Sequence, residues 1–576
     1  MKKISKFIFS VLVAFILTLN VNADALSDLI SKNNEVVLDQ NYTENVVIEK
    51  GKKVTIDLNG YTLTGDITTL GELTIKSSKE GGKVVSKKSI KVGDFEKDKD
   101  TGKITSEVVG KFTLESGTIE VTDDYGVYCM SGSTAIINGG EVTSVDSALT
   151  SNNLTGGANF VVNGGTLTSK QGPAIYLPST GSVKITGGTI NGGVSIRMGQ
   201  IDISGGTING IADNNDPLAK YYDFSGNAWL SDTVYVWGGT YTSKEEGTSN
   251  DLTLNITGGT INGKIGSAVA IYDMGLVAQN IKVNISDNAK LTGASNDSAF
   301  KVVTLEEAGI TNIKSGYNNK DLVGKVNTTI TGGTFSSTVA KYLENDYAEK
   351  EENNLFTVSK REVKVDTPKI DETKPVDEVT IGVKNSEDLS NIFVDSLGKT
   401  TIDFTDVSKT VVEVDVNNKK ESDLAKEVLD SIKKISEESK ITLSSYFDIT
   451  LNIKNGENNE VLGTLDELTK KVTFAIALPE DLAKVADGYT RKYYVIRYHD
   501  GKSEILEASS DGKLITFETD KFSSYALAYE DTKTEKPAEI ENPKTGDRIL
   551  VSVIACTVSL AGLALCLKNK YSKKNN

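Results

Sequence analysis

The sequence predicts an all-β protein: a parallel β-helix, which is a solenoid of stacked coils, followed by a smaller α+β or Ig-like domain. Three observations carry that expectation. First, a short phrase recurs between residues 135 and 336, running from alternating apolar residues through Gly-Gly to Thr or Glu and another apolar residue. It reads Ile136-Ile137-Asn138-Gly139-Gly140-Glu141-Val142, then Val161-Val162-Asn163-Gly164-Gly165-Thr166-Leu167. It returns as Val183-Lys184-Ile185-Thr186-Gly187-Gly188-Thr189-Ile190 and Ile201-Asp202-Ile203-Ser204-Gly205-Gly206-Thr207-Ile208, with further copies at 238–239, 258–259 and 332–333. Steps of 25, 23 and 18 residues between first glycines suit repeats that must stack to bury an apolar face. Second, Val183/Ile185 and Ile201/Ile203 alternate with polar residues, the two-residue period of a half-buried strand. Third, Gly-Gly tolerates positive φ and so supplies a corner, among Thr, Ile and Val that fit a pleated surface. Stacking would set Ile on Ile and Thr on Thr, with backbone hydrogen bonds from coil to coil. An antiparallel sandwich is the alternative; a propeller needs a longer unit.

Composition sets the frame. The 576 residues carry a net charge of −16, and no Lys/Arg cluster of the kind that binds nucleic acid is visible. Residues 1–23 have the form of a secretory signal peptide. Lys2, Lys3 and Lys6 precede the apolar run 7–19, and Val21-Asn22-Ala23 offers a cleavage site between Ala23 and Asp24.

After a short lead-in with apolar Leu26, Leu29 and Ile30, residues 54–63 and 73–82 read as degenerate early coils forming an N-terminal cap within 24–110. A charged insertion, 87–107, reads as a solvated loop. Its Asp98-Lys99-Asp100-Thr101-Gly102 has the wrong spacing for a calcium loop, with Val109 where the last ligand belongs. Regular repeats are expected over 111–360. Within them Asp123-Asp124 is either a turn or a pair of carboxylates, although neighbours on a strand point to opposite faces. The stretch 24–350 holds no His and one Arg, Arg197. No catalytic residue, metal site or cofactor is read from it.

Between Gly206 and Gly238 the interval lengthens and its excess is aromatic: Tyr221, Tyr222, Phe224, Trp229, Tyr235 and Trp237, with Tyr241 just beyond. Tyr221, Tyr222, Trp229, Tyr235 and Trp237 are candidate ligand-binding aromatics, since flat rings suit sugars or a protein hot spot. The competing reading is that they pack the loop onto the coils.

Residues 361–379, with Pro368 and Pro375, read as a linker. The second domain is expected over 380–530. It has one helix, 419–440, with apolar Leu424, Val428, Leu429, Ile432 and Ile435 at helical spacing. Strands are expected at 401–404, 411–416, 447–453, 472–478, 492–498, 503–507 and 514–518. His499, the one histidine, sits in a His-Asp-Gly turn.

A second linker, 531–541, leads into Asn542-Pro543-Lys544-Thr545-Gly546, the apolar run 549–567, and Lys568, Lys570, Lys573 and Lys574. The run is long enough to span a bilayer, with the lysines holding its end inside. This tripartite tail resembles the cell-wall sorting signals of sortase-anchored Gram-positive surface proteins, with Asn542 where the commonest motif has Leu. The resemblance implies that a sortase recognises Asn542, Pro543, Thr545 and Gly546 and cuts between Thr545 and Gly546. The Thr545 carboxyl is then joined to peptidoglycan. The coils resemble the pectate-lyase-like β-helix superfamily, which implies a right-handed helix. The segment 491–529, from Arg491-Lys492-Tyr493-Tyr494-Val495-Ile496-Arg497 to Phe522-Ser523-Ser524-Tyr525-Ala526-Leu527-Ala528-Tyr529, resembles a recurring wall-proximal module. Processing would leave Cys129 as the one cysteine, so no intramolecular disulfide is expected. The function expected is a wall-anchored adhesin or binding protein with glycan or protein ligands. The alternatives are a polysaccharide lyase or hydrolase, and a structural spacer.

Overall fold

The structure is a computed structural model. It describes residues 25–101, 103–130, 132–151, 157–211, 231–237, 251–273, 280–304, 307, 325–368, 381–383, 389–405 and 407–534.

Three parallel sheets run the length of the first part, and each coil contributes one strand to each, except that among the described residues the last coil adds none to the third. The first sheet has eleven strands, from Glu35–Val37 to Lys325–Ile330, stacked in chain order. The second runs from Tyr42–Thr43 to Thr334–Phe335, and the third from Val46–Ile48 to Phe300–Thr304. This is the parallel β-helix. Ten steps of about 4.8 Å between eleven coils give a stack of roughly 48 Å.

Register explains why the core is continuous. In the second sheet Leu63, Val84, Ile119, Val142, Leu167, Ile190, Ile208, Ile261, Leu291 and Phe335 lie one above another. All ten are buried in one apolar cluster that extends from Leu26 to Val358. No coil could close that cluster alone.

The Gly-Gly corners sit between the first and second sheets, and their two glycines do different work. The second of each pair has positive φ: 72° at Gly140, 75° at Gly165, 83° at Gly188, 82° at Gly206 and 82° at Gly259. The first is not in that region; it is held to glycine by proximity. A Cβ on Gly164 would lie 2.5 Å from the Asn138 carbonyl oxygen, and one on Gly258 2.5 Å from that of Ser204. The next coil bonds across the corner: the amides of Thr166, Thr189, Thr207 and Thr260 each donate at 2.9 Å to the carbonyl of Gly140, Gly165, Gly188 and Gly206.

Both ends are closed. The helix Leu26–Lys32 buries Leu26 and Ile30 over the first coils, and its open Leu26 amide donates to Glu44 Oε2 at 2.7 Å. At the far end, the hairpin of Tyr347–Glu352 and Leu355–Lys360 pairs antiparallel with the last strand of the second sheet.

Several expectations need correction. Residues 87–107 are not an unstructured loop: Ile90–Val92 is a third-sheet strand, and Asp94–Lys97 pairs with Ile104–Val108 as a hairpin. Asp98 Oδ1 accepts the amides of Thr101 and Asp100 in its turn. The phrase at 238–239 lies outside the described residues; the strand before it, Val234–Trp237, belongs to the third sheet. Between Gly206 and Gly258 the described strands, Thr207–Asn209, Val234–Trp237 and Leu252–Ile256, supply one member of each sheet.

The second domain begins earlier than 380. Val363–Asp366 pairs parallel with Thr410–Lys419, and Thr442–Asn455, Ser524–Lys533, Tyr489–His499, Lys502–Ser510, Leu514–Lys521, Glu467–Ala477 and Ile381–Val383 follow in spatial order. This is the α+β alternative. The helix foreseen at 419–440 spans Lys426–Ser439, and a second, Leu389–Leu397, was not foreseen. Residues 401–404 form no strand. The two helices belong to apolar clusters on opposite faces of the sheet: Leu389–Leu397 shares one with Tyr525 and Leu527, Lys426–Ser439 the other with Ala526 and Ala528. His499 turns with Asp500 and Gly501, at φ 48° and 76°.

Arg361, 4% exposed, joins the two parts. It donates to the carbonyls of Asn345 at 3.0 Å and Tyr347 at 2.9 Å from the solenoid end, and to that of Val407 at 2.5 Å from the second domain. Its guanidinium lies 4.7 Å from the Phe404 ring centre, and burial pushes its pKa down to about 10.

Gly206→Ala should cost about 1–3 kcal/mol from the positive φ alone, with a further penalty because the new Cβ would meet the Gly187 carbonyl oxygen at 2.8 Å. Chemical denaturation followed by circular dichroism would measure it; an unchanged midpoint would contradict this account of the corners.

Candidate functional site

The outer face of the third sheet gathers most of the unusual chemistry of the solenoid. Its strands place Val127 and Cys129 inward, so Tyr128 between them points out, and register carries that outward position through the stack. Lys91, Tyr128, Thr150, Tyr176, Ser195, Tyr235, Ala270 and Lys301 follow one another. An outward row is ordinarily wet. Here Thr150, Ser195 and Tyr235 are each only 1% exposed, whereas Tyr128 and Tyr176 are half-buried.

At one end of the row the turn residues Asp124 and Asp146 fall at equivalent positions of successive coils, three before the paired Val127 and Leu149. Burial, and then the charge of Asp124, raise the Asp146 pKa. Its Oδ1 is buried and has no hydrogen-bond partner. Asp124 Oδ2 accepts the Ser89 amide at 3.1 Å, while Asp123 is exposed; the two do not converge. Tyr125 and Tyr128 stand 5.8 Å apart between ring centres. Burial first, then Tyr125, Asp124 and Tyr176, push the Tyr128 hydroxyl up to about 12. Burial likewise raises Tyr176, opposed by the nearby Arg197 guanidinium. Both phenols thus remain neutral donors near neutral pH. Arg197 is 3% exposed, an enclosed cation beside the buried hydroxyl of the half-buried Tyr176.

Further along lies a second cluster with no warning in the local sequence. Asp232, whose side chain is 0% exposed, receives Lys301 Nζ at 3.0 Å and the Ser267 amide at 2.7 Å on Oδ1, and the Tyr272 hydroxyl on Oδ2. Asp297 Oδ1 accepts Ser267 Oγ at 3.1 Å and lies 3.4 Å from Lys301 Nζ. These residues come from three consecutive coils. A carboxylate so fully supplied with donors is a brace between coils rather than a reactive group. Only the register of the third sheet could have brought the five together on paper.

Among the expected aromatics, Tyr235 is enclosed at 1% exposure. Trp237 ends the strand Val234–Trp237. Tyr221, Tyr222 and Trp229 lie outside the described residues, as do Ala23, Asp24, Asn542, Pro543, Thr545, Gly546 and the run 549–567. Among the described residues no helix is long and apolar enough to cross a membrane, and no group of His, Cys, Asp and Glu is arranged to hold a metal ion. Cys129 is fully buried in the core, which pushes its thiol pKa up. His499 Nδ1 lies 3.2 Å from the Phe522 carbonyl oxygen. No family model, curated protein or solved structure matches the chain.

Two outcomes check this description. Asp232→Ala leaves Lys301 without its buried partner and should cost about 3–5 kcal/mol in thermal or denaturant unfolding; a loss below the range of surface substitutions would refute the brace. Asp146 has a raised pKa in the folded state, so its ionisation costs the native state stability above the ordinary Asp range. That cost disappears as pH falls through the folded pKa towards the unfolded one. Asp146→Asn should therefore raise the melting temperature at pH 7, with the gain vanishing in acid. A gain independent of pH would contradict the cause assigned.

Proposed function

We propose that this is a sortase-anchored cell-wall protein of a Gram-positive bacterium that displays its β-helix as a binding module. One observation carries the reading: the order of Asn542-Pro543-Lys544-Thr545-Gly546, an apolar run at 549–567 and a lysine-rich end. Each part answers a separate physical need. The motif gives the transpeptidase a backbone to cut, the apolar run holds it at the membrane, and the lysines keep the end inside. The residues matching the family pattern are Asn542, Pro543, Thr545 and Gly546, with Thr545 as the new link to peptidoglycan. The N-terminal run 1–23, with export cleavage between Ala23 and Asp24, supports the same route. Sortase is the transient partner and peptidoglycan the covalent one.

The architecture suits such a role. The coils stack in chain order, and along the chain the N-terminal coils are the part most remote from Thr545, with the second domain between. The ligands proposed are glycans or proteins of the surroundings, met by the aromatic stretch 221–241. Binding needs no cofactor.

A polysaccharide-cleaving reading has one observation in its favour, the stacked Asp124 and Asp146, of which Asp146 holds its proton more tightly than usual. A carboxyl that keeps its proton is what the acid in cleavage of a glycosidic bond requires. Release of reducing ends or unsaturated uronates, lost in Asp146→Asn, would establish it; their absence from a broad substrate panel would remove it.

The anchoring proposal is tested by Thr545→Ala in the native host. The variant should move from the covalently bound wall fraction to the membrane and medium, a loss of at least about tenfold in wall-linked protein. Persistence in the boiled, detergent-washed wall would overturn the proposal.

A further inference from the structure

The three outer faces of the solenoid differ in chemistry. The first sheet carries Lys184 and Asp202 in one outward column and Lys282 in the next. The third sheet is enclosed for much of its length. The second sheet is open, and for four consecutive coils it carries no charge. Its outward pairs there are Thr166 and Thr168, Thr189 and Asn191, Thr207 and Asn209, and Thr260 and Asn262, all in direct register and all half-buried. Charge returns only beyond them, at Glu141 on one side and Lys290 on the other. In a chain of net charge −16, four coils of paired Thr and Asn form a distinct surface.

The surface is also stiff and prepared for hydrogen bonding. Thr is restricted about χ1. The asparagines are held in a ladder: Asn209 Nδ2 donates to Asn191 Oδ1 at 3.0 Å, and Asn262 Nδ2 to Asn209 Oδ1 at 3.0 Å. Asn191 Nδ2 reaches Thr168 Oγ1 at 3.5 Å. Each laddered amide is fixed in orientation and retains a second N–H. In the neighbouring column the hydroxyls of Thr166, Thr189, Thr207 and Thr260 have no side-chain partner among the described residues, so each can donate and accept.

The geometry points to this face as a binding surface for a neutral, extended polysaccharide strand lying along the solenoid axis, one sugar ring per coil. The absence of charge matches an uncharged ligand. Paired donor and acceptor groups match a ligand made of hydroxyls. The step between coils, about 4.8 Å, is close to the rise of one pyranose ring in an extended chain. A protein partner is disfavoured because the face lacks the aromatic or long apolar anchors of a hot spot. Strand addition is ruled out because these are side-chain positions on a sheet face, with the backbone already paired on both sides. The inference deepens the binding reading and rests on it for the class of role, but it names a different face from the aromatic stretch.

The test uses the purified full chain against insoluble neutral β-glucan and chitin, with matched soluble oligosaccharides in calorimetry. Affinity should rise with length and level off at about four rings, one for each neutral coil. Thr207→Lys combined with Thr260→Lys should weaken binding about tenfold or more. Those substitutions are compatible with the fold, because the same column already holds Lys83 and Lys290. The isosteric pair Thr207→Val and Thr260→Val should weaken binding without adding charge. Trp229→Ala with Trp237→Ala tests the aromatic stretch separately, and Lys184→Ala, on the first sheet, should leave binding unchanged. Loss of binding in the tryptophan variant with none in the threonine variants would overturn this inference while leaving the binding module intact. Binding of proteins or charged glycans alone would do the same. Failure of every glycan and protein probe would remove the binding reading as well. Depression of the freezing point, with no glycan retained, would assign the array to ice and overturn it too.

Discussion

Everything in the solenoid depends on how closely one coil can approach the next at the corner between the first and second sheets. The first glycine of each pair makes room where a Cβ would press on the carbonyl below, and the second turns the chain through positive φ. With the corner held at one geometry, the amide after it finds the carbonyl of the coil below, and the residues beyond fall into line. The column from Leu63 to Phe335 is the buried result, and the Thr and Asn columns are the exposed one. One backbone constraint thus sets both the core and the decorated surface.

That dependence also explains what could be read from sequence. Strands on either side of Gly-Gly were legible because a two-residue apolar period meets a corner of known chemistry. Third-sheet strands were not. Ile90–Val92, Val127–Cys129 and Leu149–Ser151 have three residues each, too few to display a period, and no glycine pair announces them. In the second domain, Leu389–Leu397 buries Ile392, Phe393, Val394 and Leu397 against a sheet. So nearly continuous an apolar run shows little helical spacing. Lys426–Ser439 shows it clearly, because a charged face remains in water.

Site residues were harder still. Asp124 and Arg197 could be singled out as rare types in their setting, but their environments come from other coils. Asp232, Ser267, Tyr272, Asp297 and Lys301 are scattered over about seventy residues and meet only because two coil lengths bring neighbouring positions of three stacked coils together. The Tyr235 ring shows the opposite error: alternation on a strand says that it points outward, yet outward on this face is enclosed.

The direction of the backbone bonds has a mechanical consequence. They run from coil to coil, along the axis that joins the N-terminal helix to Arg361 and the second domain. A pull between those ends loads the coils in series, so the weakest terminal coil bears the full force and peels first while the others stay intact. Each coil of about twenty residues would release up to roughly 70 Å of chain. The molecule would yield as a ratcheting tether, lengthening in coil-sized increments instead of failing at once.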